Sequence, residues 1–132
     1  MELHPKRPST KGPPDRFLGE VWFDVIVDDG VSARLRAAVA HFAPGARNAW
    51  HVHAMGQTLH ILEGVGRTQA RGGEVIEVHA GDTIHTQPGE WHWHGAAPDH
   101  LMSHLTLYEA PDDGPDTEWG DHITDDEYAG SS

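Results

Sequence analysis

The sequence predicts a single all-β domain, an antiparallel barrel or sandwich that ends in one short helix. Three observations carry this expectation. Short stretches rich in β-branched and aromatic residues recur between turns built on Gly and Pro. No stretch before the C-terminal tail makes a convincing helix. Two His-x-His pairs fall on such short stretches, where strand alternation sets both imidazoles of a pair on one face. A chain of 132 residues has room for one core and no more.

The elements follow in chain order. Residues 1–16 are rich in Pro, Lys and Gly and are expected to form a flexible arm. The barrel is expected over residues 17–110. "FLGEVWFDVIV" (17–27) reads as its first strand and "DDG" (28–30) as a turn. "SARLRAAVAHF" (32–42) has the Ala and Arg content of a helix, yet it also suits a strand leading into "APGA". "TLHILEG" is expected to be a strand ending at Gly64, and 63–78 a hairpin turning at Gly72 and Gly73. "AGDTIHTQPGEWHWHGA" gives a turn, a short strand, a turn at Pro88 and Gly89, and another strand. "HLMSHLTLYE" alternates as a final strand. In the tail, 111–132, "TDDEY" has the Thr-x-x-Glu pattern of a helix start, and Trp119, Ile123 and Tyr128 are expected to dock it on the barrel.

Composition excludes several function classes. The absence of cysteine rules out disulfides, iron–sulfur clusters, thiolate zinc sites and cysteine nucleophiles. Any metal must be held by imidazole, amide or carboxylate. The net charge is −12, and the tail from residue 111 carries eight acids with no Lys or Arg. Such a surface repels phosphate backbones, so no nucleic-acid partner is expected. The N-terminal stretch has no apolar run, and no stretch approaches a membrane span. A cytoplasmic protein with no membrane partner is the expectation.

Twelve histidines are too many for each to mean something. His4, His79, His100 and His122 read as surface or packed residues. His41 and His60 have the wrong strand parity for a site built on His51 and His53. His51 and His53 share a face, as do His92 and His94, and two such pairs in one small barrel can converge. Neutral imidazole is the commonest metal ligand, and the Gln57 amide oxygen is a harder donor that suits manganese or iron. Trp50, Trp91 and Trp93 alternate with these histidines and should face away. Ala38, Ala40 and Phe42 share one parity; with Phe42 inward, the two alanines leave room for a small-molecule substrate.

The turn glycines bring a family into view. Gly45–(five)–His51–x–His53–(three)–Gln57–(six)–Gly64 resembles the first cupin motif, with Gln57 where Glu is usual. Gly81–(five)–Gln87–x–Gly89–(two)–His92 resembles the second, with Gln87 where Pro is usual and Ala96 in place of the terminal Asn. The resemblance spans about residues 32–110 and implies a single-domain cupin, an antiparallel jelly-roll β-barrel, with 32–42 as a strand. It implies the metal ligands His51, His53, Gln57 and His92. Manganese is the expected ion, and Fe, Co, Ni and Zn accept the same donors. Because all four donors are neutral, the ion keeps its full charge, which makes it a stronger Lewis acid than with Glu, held less tightly.

"PGARNAWHVHAMGQTL", "PGEWHWHGAAP", "MSHLTL" and "HITDDEY" are similar to the small manganese cupins that include bacterial hydroxynitrile lyases and carboxymuconolactone-decarboxylase-associated cupins. That similarity runs from about Phe17 to Tyr128. It implies reversible cleavage of a cyanohydrin to an aldehyde or ketone plus HCN, with His94 and His104 as the catalytic histidines. His94 shares parity with His92, and His104 is in phase with Met102, Thr106 and Tyr108. An O₂-dependent dioxygenase, a non-catalytic small-ligand-binding cupin and an isomerase use the same fold and stand as alternatives. A homodimer or homotetramer is expected, closed assemblies being common.

Overall fold

The computed structural model describes residues 1–130. Residues 131–132 of the acidic tail lie outside the described residues. Twelve strands are present: β1 (Thr10–Lys11), β2 (Phe17–Leu18), β3 (Val21–Val27), β4 (Leu35–Phe42), β5 (Arg47–Asn48), β6 (His51–His53), β7 (Gln57–Ala70), β8 (Ile76–His79), β9 (Thr83–Thr86), β10 (His92–Ala96), β11 (Met102–Glu109) and β12 (Thr117–Trp119). One helix, α1 (Asp125–Ala129), follows. Every strand pair is antiparallel. The strands curl into the jelly-roll β-barrel that the sequence predicts.

The barrel has two faces that share β7. On one face β1, β3, β4, β11, the first half of β7 and β9 lie side by side. On the other, β10 sits between β7 and the short strands β5 and β6, with β8 on the far side of β7, β2 on β5 and β12 on β6. β7 does not end at Gly64, as the sequence suggests, but runs through it. Its residues 57–64 pair with β11, and residues 66–70 pair with β10. The crossover needs Gly64: its φ is +83°, and a Cβ there would lie 1.8 Å from the Leu101 carbonyl oxygen.

The first predicted strand is likewise two strands. Gly19 at φ +82° breaks residues 17–27, so that β2 joins one face and β3 the other. The Ala-rich stretch is the strand β4, paired on both sides by β3 and β11, and this long-range pairing overrides its helical composition. Residues 10 and 11 pair with Phe23 and Trp22 of β3.

The main core gathers Phe17, Val21, Phe42, Ile61, Val78 and Met102 inside the barrel. A second cluster lies on the outside of β10, where Trp50 and Trp93 meet Ile123 and Tyr128. The tryptophans therefore face away from the histidines, as alternation predicts. α1 starts with a capping box: Thr124 accepts from the Glu127 N–H, and Glu127 accepts from the Thr124 N–H. The Arg47 and Arg67 guanidiniums lie over the Tyr128 ring, 4.2 and 5.0 Å from its centroid. Trp119 does not dock with the helix. It sits on β12, a strand absent from the sequence expectation, and packs on the main core beside Phe17.

Candidate metal centre

Strand geometry delivers three imidazoles to one point. β6 is three residues long, so His51 and His53 face inward with Val52 between them. His92, the first residue of β10, lies directly across from His51. Gln57 opens β7 after a turn in which the Gly56 N–H donates to the His53 carbonyl. One ring nitrogen from each of His51, His53 and His92 lies within 4.8 Å of the others, and all three residues are buried.

The outer ring nitrogens are already occupied. His51 Nδ1 donates to the Ala49 carbonyl at 2.8 Å, and His92 Nδ1 donates to the Glu90 carbonyl at 3.0 Å. Thr117 spends its hydroxyl proton on Asp116, so its oxygen accepts from His53 Nδ1 at 3.0 Å. Each ring thus carries its proton on Nδ1 and presents an Nε2 lone pair inward. His53 Nε2 is buried with no hydrogen-bond partner. His92 Nε2 lies 3.0 Å from Gln57 Oε1, lone pair against lone pair. A cation resolves both conflicts at once, and neutral nitrogen and amide oxygen donors suit a divalent transition ion. The buried histidine triad can therefore hold a metal, with Gln57 beside it.

Burial also keeps these rings neutral. It pushes His51 well below the ordinary imidazole value and, with neighbouring His92, takes His53 down to about 3. His92 is lowered by the same cause. Ligand-competent imidazole is thus the resting form.

His94 and His104 lie against this group. The His94 ring is 5.1 Å from that of His51 and 5.8 Å from that of His92. His104 Nε2 is 3.2 Å from His94 Nδ1, and Thr106 Oγ1 is 3.1 Å from His104 Nδ1. Burial depresses both, His94 strongly and His104 to about 4. Sequence reasoning missed Asn48, whose amide oxygen accepts the His94 backbone N–H at 2.9 Å and whose nitrogen lies 3.1 Å from both His94 ring nitrogens. The break between β5 and β6 resets the strand phase, so parity with His51 does not reveal Asn48. Thr117 and Trp119 were legible only as an alternating pair in "DTEWG". His41 and His60 stay outside, bonded to Asp24 and Thr83 respectively.

A cavity of about 260 Å³ opens onto His51, His53, His94 and His104. Phe17, Phe23, Val25, Ala38, Phe42 and Trp119 supply its apolar wall. Trp119 stacks on His51 at 4.7 Å, and Tyr108 leans on His53 at 5.0 Å. Ala40 points inward as predicted but is wholly buried in the core.

A β-barrel with a buried histidine triad inside it defines a class, and residues 38–108 match the cupin domain family. The chain belongs to the cupins. It is 46% identical, over 91% of its own length and 91% of the relative's, to a protein named (R)-mandelonitrile lyase from Granulicella tundricola. A cupin-like protein from Thermotoga maritima superposes with a TM-score of 0.86 at 34% identity, covering 99% of this chain and 98% of that one. A predicted oxalate decarboxylase from the same organism superposes at 0.70 and 21% identity, covering 78% and 92%, a likeness of fold alone.

Proposed function

We propose that the protein is a manganese-dependent hydroxynitrile lyase, cleaving cyanohydrins reversibly to an aldehyde or ketone and HCN. The observation that carries this reading is the hydrogen-bonded His94–His104 pair, buried beside the His51, His53 and His92 triad and lining an aromatic cavity. The similarity to a protein named mandelonitrile lyase supports it. Gln57 and the three histidines would hold the ion, which supplies Lewis acidity toward a substrate hydroxyl.

The rest of the chemistry belongs to side chains. The aromatic walls bind the organic part of the substrate and exclude water. His94, neutral because it is buried, takes the hydroxyl proton at Nε2. As its Nδ1 faces His104 Nε2 at 3.2 Å, the charge that arrives is shared across two rings and the Thr106 hydroxyl. Cyanide leaves and recovers the proton from the same pair. Asn48 holds the His94 ring in place.

The test is anaerobic release of benzaldehyde from mandelonitrile by manganese-loaded protein. His94→Ala is expected to lower the rate by about 10²–10⁴-fold while the metal stays bound. Activity that requires O₂ would turn the reading to a dioxygenase. No release in either atmosphere would sink the lyase.

A further inference from the structure

The charge of the cavity is opposite to that of the molecule. The chain carries 21 acids against nine Lys and Arg, yet no Asp or Glu lines the cavity. The donors His51, His53, Gln57 and His92 are neutral, so a bound divalent ion keeps its charge. The one formally charged side chain on the cavity wall is Arg16.

The backbone of Arg16 is held in position. Its backbone N–H donates to the Pro13 carbonyl at 3.1 Å, and its carbonyl accepts from the Ala49 N–H at 2.8 Å. Its guanidinium lies 5.2 Å from the Trp119 ring centroid. Since Trp119 stacks on His51, the cation and a metal-facing imidazole are one indole apart. Among the described residues no carboxylate lies within ion-pair distance of Arg16. Lys6, Arg7, Lys11, Arg34 and Arg47 each have one; Arg36, Arg67 and Arg71 also have none, but they do not line this cavity. The Arg16 side chain is solvent-exposed, and an unpaired guanidinium on the wall of an acid-free cavity is complementary to an anion from outside.

We infer that the natural substrate is a small organic carboxylate. Its carboxylate pairs with Arg16, its apolar body fills the aromatic walls, and a hydroxyl or carbonyl oxygen faces the histidines. This rests on the cavity being the reaction site, not on the substrate being a cyanohydrin. A neutral cyanohydrin fits the same walls but leaves Arg16 unpaired.

The experiment compares mandelate with its neutral methyl ester by calorimetry on the manganese-loaded protein. The native chain is expected to bind mandelate about tenfold more tightly than the ester, with the advantage shrinking as salt is raised. Arg16→Gln should bring the ratio of the two affinities close to one, and Arg16→Lys should restore part of it. Three results overturn the inference. Mandelate has no advantage over the ester or does not bind; its advantage survives Arg16→Gln, so the carboxylate sits on the ion; or both affinities fall alike in Arg16→Gln, so Arg16 only braces Trp119. Mandelonitrile cleavage by the same preparation keeps the two readings apart. Its failure alongside an Arg16-dependent preference for mandelate removes the cyanohydrin and leaves the anion, and the reverse pattern does the opposite.

Discussion

Thr117 shows how much of the candidate metal centre depends on single side chains outside the histidine triad. Its hydroxyl oxygen accepts a hydrogen bond from His53 Nδ1–H and so aims the Nε2 lone pair inward. Thr117→Val keeps the shape and removes that acceptor. The expected result is a metal affinity lower by roughly 10–100-fold with the fold intact, read by metal titration and circular dichroism. An unchanged affinity would mean that burial alone orients the ring. His51 and His92 use backbone carbonyls for the same purpose, so only His53 is open to this test.

Among the elements, β7 governs the architecture. It belongs to both faces of the barrel, and Gly64 is where it passes from β11 to β10. Gln57, at its start, would lose its place beside His92 if the strand were bent differently. Gly64→Ala forces a left-handed backbone on alanine and drives a methyl group into the Leu101 carbonyl. The expected cost is about 3 kcal/mol or more, measured by denaturant unfolding, with loss of bound metal in step. Gly95→Ala is a control of a different kind. Gly95 has an ordinary backbone, but its Cβ would lie 2.6 Å from the Ala46 carbonyl oxygen, so β5 would have to move away from β10.

Across the whole molecule, five buried histidines with depressed pKa values make stability pH-dependent. In the unfolded chain these rings take up protons near the ordinary value of 6.5, but the folded protein resists until far lower pH. Proton uptake by the unfolded state therefore comes first as pH falls. The stability is fully present above about pH 6.5 and is lost progressively toward pH 4, where His104 itself titrates. For His104 alone the loss is on the order of 3 kcal/mol. Thermal melts of chelator-treated protein from pH 8 to pH 4 should show a steadily falling midpoint. A flat midpoint would mean that the rings are not buried neutral. Among the described residues, no helix is long and apolar enough to cross a membrane.

The sequence by itself determined the β class, the turns, the capped helix and the shared face of each His-x-His pair, because these follow from local chemistry. Strand alternation operates over two residues, a capping box over four, and a left-handed turn at one glycine. It also shows that Gln57, beside the two motif histidines, is an uncharged amide. Only the tertiary structure decided that 17–27 is split between the two faces and that β7 continues beyond Gly64. Only it brought Asn48 to His94, and Arg16, Thr117 and Trp119 to the cavity. Each of those contacts joins segments far apart in the chain, or on strands whose phase a bend has reset. Pairing across such distances is settled by the burial of both faces together, which no local pattern records.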